Sequence, residues 1–358
     1  MSIQVKQLNR FFLLATAPFF GLILALLLGS VQLNWEGQPV QLSAPAEHEL
    51  DQQVNQVSTA LSDAEETAKY TISTIRKTAV LYQKTTSAMS QVVTTAQKTT
   101  RRPEAIYDRR ITSKFGSSPY ETVQSDKIRI ELYKINPGNY KGYAMKIKLK
   151  DPSAMRMAVA GDKLGSSETT LQAVKHSGAI AGINAGGFAD SGGKRYPLST
   201  TIQNGKYLTG FQPSFKDLSF VGLSQSGKLI GGKFSSQSQL DKLKPSFGAT
   251  FVPVLLQNGV KTPIPQKWLT SPYRAPRTVI GSYRDDQLLV LVVDGYDENG
   301  NSGASLPELQ DKLYNLGVQS AYNLDGGGST SLILGGRVIN KPSDGALRPV
   351  PTHFLFFK

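Results

Sequence analysis

The sequence of 358 residues predicts an α+β protein: a strand-rich, mixed-sheet globular domain preceded by a transmembrane helix and a long helical stalk. Three observations lead there. An uncharged run dominated by Leu, Phe and Ala stands at Phe11–Val31. A stretch without glycine or proline, with heptad-like apolar spacing, follows over residues 47–100. From about residue 126 the chain breaks into short apolar stretches separated by Gly, Pro, Asn and Ser. There strands outnumber helices without regular alternation, which argues against a doubly wound α/β sheet.

The 21 residues of the first run match the ~30 Å hydrocarbon core of a bilayer. Lys6 and Arg10 precede it and Glu36 follows, so the positive-inside bias places residues 1–10 in the cytoplasm and everything after Val31 outside. Pro18 is tolerated within a membrane helix. The run is longer than the apolar core of a signal peptide and no A-x-A site follows Leu28 cleanly, so an uncleaved anchor is expected, with a cleaved signal peptide as the rival reading. The expectation is a single-pass protein of the cell membrane with an extracytoplasmic C-terminal domain.

Residues 32–103 read as the stalk. Leu50, Val54, Val57, Leu61, Ala64 and Ala68, then Ile72, Ile75, Ala79, Tyr82, Thr86, Met89, Val93 and Ala96, recur at steps of four and three, with one stutter between Ala68 and Ile72. Two readings fit: a solvated helical spacer, or a coiled coil that joins copies of the chain into a homo-oligomer. Arg101-Arg102-Pro103 predicts the end of this helix, because proline disfavours helix for the residue before it.

The formal net charge is +13, and it resides on residues 101–358, which hold 33 basic and 20 acidic groups. Such a surface attracts an anionic partner. There is no helix-turn-helix, zinc or RNP-type signature, so nucleic acid is not the expected partner. The absence of cysteine excludes disulfides, thiolate nucleophiles and Cys-ligated zinc.

Within 104–358, strands are predicted at Lys127–Tyr133, Gly142–Leu149, Arg156–Ala160, Ala179–Ile183, Leu218–Leu223, Thr278–Tyr283, Leu288–Val293 and His353–Phe357. Helices are predicted at Ser167–His176 and Leu306–Leu316. For the second, Ser305-Leu-Pro-Glu308 is a capping box and Gly317 a C-terminal stop.

Four segments can carry chemistry. In Ala181-Gly-Ile-Asn-Ala-Gly-Gly-Phe188 an apolar strand runs into Asn184, Gly186 and Gly187, where the backbone could meet a ligand or simply turn. Arg277 opens a strand, and its planar fork suits phosphate, although a lone Arg is more often a surface charge. Leu288–Val293 delivers Asp294 to the end of a buried strand. The oxygen-rich Asp297-Glu-Asn-Gly-Asn-Ser302 follows; it lacks EF-hand spacing, so nothing requires a cofactor, though a divalent cation such as calcium could sit there. The fourth is Asn323-Leu-Asp-Gly-Gly-Gly-Ser-Thr330. Three consecutive glycines suit a backbone that wraps closely round a group, and successive N–H donors can cradle an anion. That assigns Asn323, Gly326, Gly327, Gly328, Ser329 and Thr330 to binding and leaves Asp325 as acid, base or metal ligand.

The strings INAGGF, RTVIG, VVDG, GASLPEL, NLDGGGSTSL and INKPSDGALRPV, in that order, resemble the phosphodiester glycosidase domain family over roughly residues 125–358. Ala185 departs from the family's usual Asn-Gly-Gly-Phe. The family includes the lysosomal enzyme that removes N-acetylglucosamine to uncover mannose 6-phosphate, and its bacterial members are often associated with exopolysaccharide. The resemblance implies a hydrolase that cleaves a sugar-1-phosphodiester in an extracytoplasmic glycan or envelope polysaccharide. Arg277, Arg348 and the glycine amides would hold phosphate, Asp325 and Asp294 would form the carboxylate pair, and Asn184 and Asn323 would orient the sugar or a carboxylate. The alternative is a non-catalytic, membrane-tethered module that binds a glycan or wall polymer. The histidines, His48, His176 and His353, lie in no recognised motif.

Overall fold

The computed structural model describes residues 44–296 and 302–358. The predicted tail, the anchor at 11–31, the start of the stalk and residues 297–301 lie outside the described residues. Among the described residues no helix is long and apolar enough to cross a membrane. The chain divides into two compact units, Met1–Thr94 and Thr95–Lys358.

Helix α1 covers Ala44–Ser113. Its predicted seam is solvent-exposed, including Leu50, Val57, Leu61, Ile75 and Met89. Threonines on this helix bond back one turn, as Thr67 Oγ1 does to the Asp63 carbonyl at 2.8 Å, which satisfies their hydroxyls without a tertiary partner.

Pro103 lies inside α1, contrary to the expected stop. A proline within a helix costs about 3 kcal/mol. The residues after it offset that cost by docking: Ile111 is buried, and Phe115 stacks on Tyr133 at 4.2 Å between ring centroids. The buried Lys146 ammonium takes Asp108 Oδ1 at 2.7 Å and Thr112 Oγ1 at 2.8 Å from this helix, and Glu131 Oε2 at 2.7 Å from its own sheet. A buried cation left without these acceptors would be strongly destabilising, so the last turns of α1 belong to the domain.

The domain then runs β1 Glu121–Gln124, β2 Ile128–Ile135, β3 Gly142–Leu149, β4 Met155–Val159, α2 Thr170–Ser177, β5 Ala181–Asn184, β6 Phe188–Ser191, β7 Lys194–Pro197, β8 Ile202–Gln203 and β9 Lys206–Tyr207. It continues through β10 Ser219–Ser224, β11 Leu229–Gly232, α3 Gln237–Asp241, β12 Pro245–Phe251, β13 Val254–Gln257, β14 Val260–Lys261 and α4 Gln266–Thr270. The remainder is β15 Arg277–Ser282, β16 Leu288–Val293, α5 Leu306–Leu316, β17 Ser320–Asn323, β18 Leu332–Leu334, β19 Arg337–Val338 and β20 Thr352–Phe356.

One sheet has the order β1-β2-β3-β16-β15-β17-β13-β14, a second β11-β10-β12-β8-β9 and a third β19-β18-β5-β20-β4. The α+β expectation holds, but the sheets are not mixed: the neighbouring strands pair antiparallel. Short connections favour antiparallel pairing, since a parallel neighbour needs a crossover of a dozen residues or more.

Strand β16 shows why the domain is layered. Leu288, Val290 and Val292 face a core shared with Ile183, Phe354 and Phe356 of the third sheet, while Leu289, Leu291 and Val293 face Leu306, Leu309 and Leu313 of α5. Alternate side chains leave opposite faces of a strand, so an unbroken apolar run serves two cores. Helix α5 forms as predicted, with both capping-box bonds between Ser305 and Glu308 and Gly317 left-handed at φ 86°.

Candidate active site

The register of the large sheet gathers four strand ends. Gly142 of β3 and Arg277 of β15 both lie opposite Val293 of β16, and Val279 lies opposite Asn323 of β17. Asp294 follows Val293, the register partner of Arg277, and its N–H donates to the Lys141 carbonyl at 2.9 Å. The Leu324 N–H donates to the Thr278 carbonyl at 2.8 Å and holds the start of the glycine turn against the same edge. Strand β5 of the third sheet reaches this point too, because the Asp325 N–H donates to the Ala185 carbonyl at 3.1 Å. The backbones of Asp294, Arg277 and Asp325, chosen from separate motifs, thus meet at one edge of the large sheet.

Asp294 is half-buried and lines a cleft of about 510 Å³ with Tyr140, Lys141, Arg274, Tyr296 and Lys341 among its walls. Burial holds its carboxyl above the usual carboxylate range, against the opposing pull of the Lys341 N–H and charge. That N–H donates to Asp294 Oδ1 at 2.7 Å. A carboxyl that keeps its proton to higher pH, in an open cleft, is suited to acid–base work.

Arg277 is not a surface charge: it is 4% exposed. Its guanidinium donates to the Pro272 carbonyl at 3.0 Å and the Ala304 carbonyl at 3.4 Å, and burial lowers its pKa to about 10. Among the described residues no carboxylate pairs with it. Buried charges are normally paired, and here the two backbone carbonyls are the guanidinium's acceptors.

The glycine turn differs from the expected amide cradle. Gly327–Ser329 form a single 3₁₀ turn in which the Ser329 N–H donates to the Gly326 carbonyl at 3.2 Å and the Thr330 N–H to the Gly327 carbonyl at 3.0 Å. The Gly327 N–H donates to the Pro276 carbonyl at 2.9 Å and the Gly326 N–H to Asp325 Oδ1 at 3.1 Å. These four amides are engaged within the protein and do not form an open nest. What the glycines supply is close approach. A Cβ on Gly326 would stand 2.9 Å from the Pro276 carbonyl oxygen, and one on Gly328 would overlap both Arg348 Nη2 and Asp344 Oδ2. Arg348 and Asp344 form an ion pair, Nη2 to Oδ2 at 2.7 Å, laid against the turn. Among the described residues, Ser329 Oγ, Thr330 Oγ1 and Asn323 Oδ1 are buried without a hydrogen-bond partner. The amide of Asn323 donates to the Val252 carbonyl at 2.6 Å.

Gly186 and Gly187 follow the plain-turn alternative, and Asn184 reaches the backbone of Asp325. Asn184 is fully buried and its amide bonds only to protein groups. A Cβ on Gly186 would stand 2.7 Å from Ala249 Cβ, and one on Gly187 2.5 Å from the Phe251 ring. These two glycines let the turn after β5 lie flat on β12, a packing demand that accounts for them without a ligand.

His353 is fully buried on β20 and is held neutral, with its pKa lowered by burial to about 3. Its Nδ1 lies 3.1 Å from Thr170 Oγ1, which lies 2.6 Å from Ser331 Oγ. Among the described residues no three His, Asp or Glu side chains gather as a metal site. Thr278, Lys341 and Asp344, not singled out from sequence, bond to Asn184, Asp294 and Arg348 respectively. Each lies within a quoted motif, but only the fold shows which of its neighbours it touches.

Residues 177–357 match the family model for phosphodiester glycosidase. The chain is 29% identical over 168 residues to bovine N-acetylglucosamine-1-phosphodiester alpha-N-acetylglucosaminidase, covering 43% of this chain and 29% of that protein. It is 41% identical over 68 residues to the human protein of that name, covering 19% of this chain and 13% of that one. The matched segments thus span less than a third of these relatives. Among solved structures, the zebrafish catalytic domain of that name, auto-inhibited by its pro-peptide, superimposes with a TM-score of 0.54 at 20% identity, over 68% of this chain and 87% of that one, and so shares the fold.

Proposed function

The chain belongs to the phosphodiester glycosidase family, and from that premise we propose that it hydrolyses a sugar-1-phosphodiester. The observation that carries the reading is a buried cation, Arg277, that among the described residues bonds to backbone carbonyls and to no carboxylate, on the strand paired with the one that ends at Asp294, a carboxyl with a raised pKa. Arg277 is the phosphate contact, with Arg348 as a second. Water attacks the anomeric carbon and the C1–O bond breaks. The phosphate monoester leaves with that oxygen, and the proton lost by water passes to a carboxylate. A phosphate monoester is a fair leaving group, so the protein's main task is to steady charge at both ends of the breaking bond. Asp294 exchanges the proton, and Asp325, fixed at the turn, faces the developing oxocarbenium charge.

The proposed substrate is a phosphorylated glycan outside the cytoplasmic membrane, with residues 11–31 as the anchor. The support for this setting is the apolar run with Lys6 and Arg10 before it, together with the basic domain. The exposed seam of α1 supports the further proposal that copies of the chain associate through it.

The test is release of free sugar and phosphomonoester from a panel of sugar-1-phosphodiesters by the full chain. Asp294→Asn and Asp325→Asn should each lower turnover by about a hundredfold or more. A folded wild-type chain that releases no sugar but retains binding to phosphate-bearing polymer would replace this reading with that of a binding module.

A further inference from the structure

Asp325 lies on a turn, and a turn alone does not hold a carboxylate to the tolerance catalysis needs. Its backbone is instead gripped from both sides by the end of β5. The Asp325 N–H donates to the Ala185 carbonyl at 3.1 Å, and the Asp325 carbonyl accepts from Asn184 Nδ2 at 2.6 Å. The other end of the same amide, Asn184 Oδ1, accepts from Thr278 Oγ1 at 2.8 Å and from the Ser331 N–H at 3.1 Å. One fully buried side chain therefore ties together the residue after Arg277, the backbone of Asp325 and the residue after Ser329-Thr330. It belongs to a different sheet from β15, which carries Thr278. A wholly packed side chain of that size could have been apolar. An amide with its donor on one wall of the site and its acceptor on the other two fixes their relative positions.

We propose that Asn184 is a positioning residue for Asp325, and that Thr278 sets the amide by occupying its oxygen. The inference rests on the proposed hydrolysis for its role in turnover, but the geometry it asserts is independent of that reading. Thr278 gives the cleaner handle. Thr278→Val keeps the volume and removes the hydroxyl donor. Thr278→Ser keeps the hydroxyl and removes a methyl, and Thr278→Ala removes both. Asn184→Asp keeps the acceptor and replaces the amide donor.

In the full chain, Thr278→Val, Thr278→Ala and Asn184→Asp should lower kcat by up to about a hundredfold with KM within about threefold of wild type, the pattern of a displaced catalytic group, not of lost binding. Thr278→Ser should recover kcat to within about threefold. A purely structural role would instead lower the melting temperature of Thr278→Ala and Thr278→Ser alike and leave kcat per folded molecule unchanged. A ¹³C-carboxylate titration reads the position of Asp325 without turnover: its midpoint should move in Thr278→Val and Asn184→Asp and stay in Thr278→Ser. If wild type is inactive, the functional reading falls and this titration still decides the inference. A midpoint for Asp325 that is the same in all four variants and wild type overturns it.

Discussion

The turn after β5 and the turn after β17 both place runs of glycine at the end of a buried strand, and from sequence they look like two copies of one device. They are not. Gly186 and Gly187 are glycine because backbone and rigid neighbours on β12 lie where a side chain would go. Gly328 is glycine because the ends of two charged side chains, Arg348 and Asp344, rest on it. Crowding by fixed atoms makes a scaffold. Crowding by the ends of long charged side chains places an ion pair against the turn. The same residue type therefore reports fold in one turn and site in the other, and only the identity of the neighbour separates them.

The largest effect that sharpens this contrast is expected at Gly328. A methyl there must displace the ends of the part-exposed Arg348 and Asp344 side chains, not a fixed backbone. Gly328→Ala should therefore lower kcat/KM by about a hundredfold, comparable to losing one charge-stabilising donor, with a small change in melting temperature. Full activity in this variant would mean that the ion pair is not part of the site.

Next in size is the linkage between phosphate and the buried cation beside Gly326. If Arg277 receives an anion, inorganic phosphate at about a hundred times its dissociation constant should stabilise the wild type by about 2.7 kcal/mol. Arg277→Met should abolish that gain, and calorimetry at several phosphate concentrations would measure both. An equal gain in both proteins would move the anion site away from β15.

At the scaffold turn the expectation reverses. Gly186→Ala presses a methyl against Ala249 and the Thr250 carbonyl, neither of which can rotate out of the way, so it should cost about 1–3 kcal/mol of stability. Its phosphate affinity should be preserved. Denaturant unfolding with a phosphate-binding assay checks this, and loss of affinity at unchanged stability would return Gly186 to the binding site.

Sequence pattern alone carries a good part of the fold. Leu288–Val293 and Leu306–Leu316 are read to the residue, because an unbroken apolar run bounded by polar turns and a capping box with its terminal glycine are local signals. Gly142–Leu149 is legible for the same reason. Pro103 is misread because what carries the helix past it, the acceptors that Asp108 and Thr112 supply to Lys146, is a contact across about 35 residues of chain that no local rule contains. In the site, the residue types of Asp294, Arg277 and Asp325 are legible and their convergence follows from strand register. The direction of each bond is not. Asn184 faces inward to protein groups, and the glycine-turn amides close on themselves, because both depend on what packs across from them.

The smallest predicted effect concerns Asp294, the strand-end residue that either turn could have supplied and neither does. Burial raises its pKa in the folded state, so the native protein holds this proton more tightly than the unfolded chain. Stability attributable to the group is therefore greatest at low pH. It declines as pH rises from the ordinary carboxylate value through the raised one, and the full penalty persists above that. Asp294→Asn removes the penalty while its side-chain oxygen can still accept the Lys341 N–H. The variant should melt slightly above wild type near neutral pH, and the difference should close as pH falls through that window. Melting curves from about pH 3 to pH 8 read the sign directly. A difference that is constant across this range would show an unshifted carboxyl, and would move the acid–base role from the strand end to the turn that carries Asp325.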